Sequence, residues 1–157
     1  MALIIEAPNE VYSIDNHKNA KIFLAGGISG CEDWQSYIIS ELKDIPDITI
    51  YNPRRKNFPI NDTGEAEAQI SWEFNHLRDA DMIIFWFAKG SLNPIVLYEL
   101  GMHGNSRDTA IMIVIDPEYL RKQDVMIQTQ LARPEVPIFE SMKDLIDALL
   151  EIFKYEQ

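Results

Sequence analysis

The run from Ala80 to Phe87, ADMIIFWF, narrows the folds open to this chain more than any other stretch. From Met82 to Phe87 it carries no polar side chain, so it lacks the alternation of a strand with one wet face. It is also far too short to span a bilayer. A run of this kind belongs to a central parallel strand covered on both faces. The covering layers then have to be helices, and the remaining sequence should alternate strand and helix.

It does so. Lys21–Gly30, KIFLAGGISG, is a short apolar strand running into glycines. Cys31–Asp44 follows with Trp34, Tyr37, Ile38 and Leu42 at helical spacing. Residues 48–52, ITIYN, form a second strand ended by Pro53, and a polar stretch with Arg54 and Arg55 comes next. A helix is expected from about Glu65 to Asp79, its inward face marked by Ile70, Phe74 and Leu77, with Glu73 turned the same way. Beyond the ADMIIFWF strand, TAIMIVI at 109–115 and PIF at 137–139 supply further strands. Residues 124–136 read as an irregular connection. Ser141 onward is an amphipathic closing helix with Met142, Leu145, Leu149, Ile152 and Phe153 inward. This pattern predicts one α/β domain over residues 1–157, an open parallel sheet of about five strands with helices on both faces. Residues 1–20 form an N-terminal extension or an edge hairpin. Such sheets bind ligands outside the carboxyl ends of their strands, where the strand order switches.

Charge and cysteine count limit the partners. The 157 residues carry a formal net charge of -11, which disfavours nucleic acid and anionic membranes, since both need a cationic footprint. The single cysteine, Cys31, excludes an internal disulfide, and His17, His76 and His103 form no metal-ligand spacing with it. No charged leader opens the sequence and no apolar run approaches about 18 residues. The expectation is a cytoplasmic protein acting on small molecules, with no metal and no organic cofactor.

The chemistry points to NPIVLYELG, residues 93–101. Asn93 followed by Pro94 marks a helix start, the asparagine accepting from free amides and the proline fitting the first turn. Glu99 then falls in the second turn, with Ile95, Val96, Met102 and His103 at spacings that share its face. From Gly90 to Ser106, Glu99 and His103 are the side chains suited to acid, base or nucleophilic work. A carboxylate among core residues must find donors or hold its proton to an unusually high pH. Glu73 is the second acid in such a setting.

The order IFLAGGISG with Trp34, then YNPRR, then ISWEFNHLRDADMIIFWF, then NPIVLYELG resembles the nucleoside 2-deoxyribosyltransferase family, in its branch of small stand-alone proteins. The resemblance runs from Lys21 to about Phe153. It implies a flavodoxin-like sheet and transfer of 2-deoxyribose between nucleobases in nucleotide salvage, through a covalent glycosyl-enzyme intermediate. It places the nucleophile at Glu99 and an acid contacting the nucleobase at Glu73. Asn93 falls where the family has an acid for the departing base, and Phe23 where it often has a tyrosine.

Cleavage with retention needs a carboxylate under the anomeric carbon and a group that protonates the leaving base. Glu99 and Glu73 can fill those roles. Gly26 and Gly27 would leave room for the sugar, Asn52 and Arg54 are expected at the substrate, and Trp72, Phe87 or Trp86 could stack on the base. The resemblance also implies a homo-oligomer, for which Asp124–Ala132 is the candidate contact. Two alternatives stay open: an N-glycosidase that uses water as acceptor, and a non-catalytic nucleotide- or sugar-binding module.

Overall fold

The computed structural model describes residues 1–10, 19–57, 59 and 61–155. The strands are β1 (Leu3–Glu6), β2 (Ala20–Gly26), β3 (Ile48–Asn52), β4 (Met82–Phe87), β5 (Ala110–Ile115) and β6 (Ile138–Phe139). They form one parallel sheet in the order β1-β3-β2-β4-β5-β6. Five helices accompany it among the described residues: α1 (Trp34–Leu42), α2 (Thr63–Asp79), α3 (Pro94–His103), α4 (Lys122–Ala132) and α5 (Met142–Tyr155). The sheet is the flavodoxin-like arrangement expected, with one strand more.

The added strand is β1. Leu3–Glu6 pairs in parallel with Thr49–Asn52, so it extends the sheet at its edge and is not an arm of a hairpin. Residues 11–18 of the expected extension lie outside the described residues.

β4 sits at the middle of the sheet, and Ile83, Ile84, Phe85 and Phe87 are fully buried. Each such side chain contributes about 1.5–3 kcal/mol by leaving water. Alternation along the strands divides the core into two layers. Phe23, Ala25, Tyr51, Ile83 and Phe85 face α2, α3 and α4, while Ile22, Leu24, Ile50 and Ile84 face α1 and α5.

Four local expectations are corrected. The 124–136 connection is largely helix α4, built from good helix formers such as Lys122, Gln123, Met126, Gln128 and Leu131, with Pro134 beyond its end. Val125 is its buried residue, and a helix touching the core so narrowly shows no apolar stripe. On α2 the buried face is Gln69, Trp72, His76 and Leu77, whereas Ile70 and Phe74 are 66% and 44% exposed. Both faces satisfy helical spacing, and packing on the sheet chose the one with the larger indole. On α3, Ile95, Tyr98 and Met102 are exposed and Val96 is buried, so Glu99 is not surrounded by core residues on all sides. Finally, Tyr37 on α1 and Ile152 on α5 face outward.

Candidate active site

The strand order reverses between β2 and β4. From β2 the chain goes outward to β3, then crosses back past β2 to β4 and continues to β5 and β6. A crevice opens where the carboxyl ends of β2 and β4 diverge, and both acids singled out by sequence line it. The cleft holds about 330 Å³ and is bounded by Phe23, the 25–29 turn, Pro53, Glu73, Asn93, Val96 and Glu99. That volume lies at the small end of the range for small-molecule sites.

Its floor is backbone. A Cβ on Gly26 would come within 3.0 Å of Trp86 Cβ and closer still to the Trp34 ring. One on Gly27 would collide with the Cys31 thiol and lie 2.9 Å from Asn93 Oδ1. Only glycine lets the turn pass this near to the start of α3.

The turn is held from below by Arg54. Its Nε donates to Gln35 Oε1 at 2.9 Å, and its Nη2 donates to the carbonyls of Ile28, Cys31 and Glu32 at 3.2, 3.3 and 2.9 Å. Asn52 Oδ1 in turn accepts from the Arg54 amide at 3.0 Å. Trp34 Nε1 adds a bond to Gly27 O at 3.1 Å. The opposite wall is held by Asn93, whose Nδ2 donates to Ala88 O at 3.0 Å and Ser91 O at 3.2 Å, and by Tyr119, whose hydroxyl donates to Leu92 O at 2.7 Å.

The two acids differ in their surroundings. Gln69 Nε2 donates to Glu73 Oε1 at 2.7 Å. Burial nevertheless raises the Glu73 pKa above the ordinary carboxylate range, the Gln69 bond acting the other way. Glu99 is pushed up to about 8, first by burial and then by the charge of Glu73. Both acids line the same cleft, and in each burial favours the protonated form.

A sequence model described as nucleoside 2-deoxyribosyltransferase like matches residues 19–119 of this chain. The chain belongs to the nucleoside 2-deoxyribosyltransferase-like family. A solved structure of a conserved protein from Enterococcus faecalis V583 superposes with a TM-score of 0.61 at 16% identity, over 88% of this chain and 99% of that one. At that identity the likeness concerns the fold. No match is found among curated proteins.

Within this family member, the cleft gathers Glu99, Glu73, Asn93, Phe23, Gly26 and Gly27. Four other residues expected at the substrate stand elsewhere. Trp72 is 2% exposed, stacks on His76 with ring centroids 4.1 Å apart, and spends its indole N–H on Asn9 O at 2.9 Å. Phe87 is fully buried against Tyr119. Arg54 is committed to the carbonyls that follow the glycines, and Asn52 Oδ1 to the Arg54 amide. Trp86, also weighed for stacking, packs on the α1 and α5 side of the sheet.

Asn93 corrects the expected helix cap. Its backbone is left-handed, with φ 49° and ψ 55°, and its side chain makes no cap bond to the helix. Asparagine tolerates that conformation better than most residues do. Its amide is a latch on the β4–α3 loop instead. Sequence reasoning missed Gln69 and the Arg54 clamp. The first had a visible signal, since Gln69 stands one helical turn before Glu73.

The described residues include no group of three His, Cys, Asp or Glu side chains placed to hold a metal ion. No described helix is long and apolar enough to cross a membrane.

Proposed function

We propose that this chain transfers 2-deoxyribose from one nucleobase to another through a covalent ester on Glu99. The observation that supports this most is the convergence of Glu99 and Glu73, from separate helices, on one small cleft floored by glycine. A Glu99 carboxylate oxygen attacks C1′ as the C1′–N bond breaks, and Glu73 gives its proton to the departing base. The acceptor base then attacks C1′ from the vacated side, the ester C–O bond breaks, and Glu73 takes the proton that the acceptor releases.

The first half needs Glu73 protonated and Glu99 ionised; the second starts with Glu99 esterified and Glu73 ionised, and returns the proton to Glu73 as Glu99 leaves as a carboxylate. Burial that raises both groups keeps that proton available at neutral pH. With the proton on Glu73, Glu99 no longer faces a negative neighbour. The positive charge that develops on the sugar favours its ionised form further.

No lysine, arginine or histidine lines the cleft among the described residues, so an uncharged nucleoside suits it better than a phosphorylated one. Phe23 offers the sugar an apolar wall without a hydroxyl. The Asn93 amide is already bonded to two carbonyls, which favours, as a second reading, an N-glycosidase with water as acceptor.

The apolar side chains flanking the acids suit a homo-oligomer. Ile70 and Phe74 on α2 and Ile95, Tyr98 and Met102 on α3 are exposed beside the cleft. A second copy covering them would also exclude water from the reaction. Ile127 and Leu131 on α4, inside the segment expected to make such a contact, are exposed as well. Light scattering on the purified protein should give a mass above one chain, and a monomer at all concentrations would remove the shared-site idea.

The reaction is tested by chromatography after incubation with deoxyinosine plus adenine. Deoxyadenosine formed by the intact protein and not by Glu99→Ala supports the transferase. Free deoxyribose and hypoxanthine released at one rate with or without adenine would make it a hydrolase.

A further inference from the structure

The chain keeps a buried amide next to its acid pair. Gln69 is 8% exposed, one turn before Glu73 on α2. Its Nε2 donates one hydrogen to Pro53 O at 2.8 Å and the other to Glu73 Oε1 at 2.7 Å. The orientation of the amide is settled by these acceptors. Reversed, it would set an oxygen against a carbonyl and a carboxyl at once. Its own Oε1 is buried without a partner among the described residues. A buried polar atom left unbonded is unfavourable, and a methionine would fill the same space without that cost. A glutamine here therefore makes sense through what its N–H groups do.

We propose that Gln69 is a positioning residue that occupies Oε1 of Glu73 and so assigns the transferable proton to Oε2. This rests on Glu73 as the proton donor. A neutral carboxyl places its hydrogen on one oxygen, and the oxygen receiving the Gln69 N–H is the poorer place for it. The proton on Oε2 passes to the base nitrogen as the C1′–N bond breaks, leaving Glu73 as a carboxylate. The Gln69 N–H to Oε1 bond becomes charge-assisted at that moment and strengthens as the proton leaves. When the incoming base, or water, gives a proton back, Oε2 receives it and the cycle closes.

The bond to Pro53 adds a mechanical role. Pro53 follows the last residue of β3 and lines the cleft, so the same amide ties α2 to the sheet edge and sets the height of Glu73. Of the side chains lining the cleft with Glu73, Glu99 from α3 is the titratable one, and Phe23 from β2 and Pro53 after β3 are neutral. None of the ion pairs among the described residues includes Glu73.

Two variants separate positioning from packing. Gln69→Met keeps length and removes the donor, and Gln69→Lys keeps a donor and adds positive charge. The Glu73 carboxyl carbon is followed by ¹³C NMR across pH in each, with kcat and KM measured on deoxyinosine plus adenine. Gln69→Met should move the Glu73 midpoint up by roughly one unit. Its kcat at neutral pH should fall about tenfold or more with KM nearly unchanged, because the proton is no longer directed. Gln69→Lys should move the midpoint the opposite way and lose kcat through an ionised Glu73.

Midpoints that stay put in both variants, or move in the same direction, overturn the proposal and make Gln69 a packing residue. Should Gln69→Lys not fold, the midpoint in Gln69→Met decides alone, upward for and unchanged against. If the unaltered protein turns over no nucleoside, the transferase reading fails, and the NMR midpoints still settle whether Gln69 governs Glu73.

Discussion

Glu73 and Asp79 stand on the same helix, six positions apart, and their environments drive them in opposite directions. Burial raises the pKa of Glu73, and one neutral amide does not offset it. Burial also pushes Asp79 up, but the Tyr51 hydroxyl at 2.5 Å and Lys21 Nζ at 2.9 Å outweigh it and leave Asp79 below its ordinary value. Tyr51 is correspondingly held far above its normal range by burial and by its bond to Asp79. Lys21 and Tyr51 belong to β2 and β3, so the Asp79 cluster fastens the end of α2 to the sheet. Among the described residues, no hydroxyl or cation is bonded to the carboxylates of the cleft. What separates the two acids along this helix is the supply of donors, more than the depth of burial.

That contrast can be broken most forcefully at Glu99. If Glu99 is the nucleophile proposed above, Glu99→Gln should lower transfer by about a thousandfold or more, and steady-state rates on deoxyinosine plus adenine measure it. The same substitution should stabilise the protein at alkaline pH. The folded pKa of Glu99, about 8, lies above its ordinary value of 4.5, so the unfolded chain gives up its proton first. Stability is then lost as pH rises from about 4.5 to about 8 and stays low above that. Removing the ionisable group removes the decline, a gain of roughly 2–4 kcal/mol at pH 9 by urea unfolding. An unchanged or lower stability there would mean that Glu99 has donors after all.

Asn93 sharpens the comparison with a smaller effect. Asn93→Asp replaces the two donated bonds to Ala88 O and Ser91 O by an acceptor facing carbonyls. It should lower stability by roughly 1–3 kcal/mol without raising the transfer rate. A faster enzyme would show that an acid at this position serves the departing base and that the latch is dispensable.

Asp79→Asn should have the smallest effect, about 1 kcal/mol at neutral pH, with transfer retained. Because the folded pKa of Asp79 is lowered, its contribution is present above the unfolded value and disappears as pH falls through the folded one. The variant and the parent should therefore converge in stability at acid pH. A gap that persists below that range would assign the effect to packing.

Much of this was legible in the sequence for identifiable reasons. The unbroken ADMIIFWF run could be accommodated only by a doubly covered strand, and the glycines after β2 could only be a turn. Glu99 stood out because its local sequence was otherwise apolar. The faces of α2 were not legible, because Ile70 and Phe74 satisfy the same period as Trp72 and His76, and only the sheet decides which pair is covered. Helix α4 was hidden because it buries little beyond Val125. The roles of Arg54 and Trp72 depended on which distant backbone carbonyls the fold brings near them, and no local pattern encodes that. Ile95 and Met102 read as core because apolar side chains at helical spacing have the same period whether their face is buried or exposed.

The most direct test of the central claim is to trap the intermediate. The protein is incubated with a 2-deoxy-2-fluoro-arabinosyl nucleoside, whose fluorine slows breakdown of a glycosyl ester, then digested and analysed by mass spectrometry. The account predicts a fluorosugar adduct on Glu99, in the peptide containing NPIVLYELG, released when an acceptor base is added. A turned-over substrate with the adduct on another residue, or with inversion at C1′ and no adduct, would contradict it.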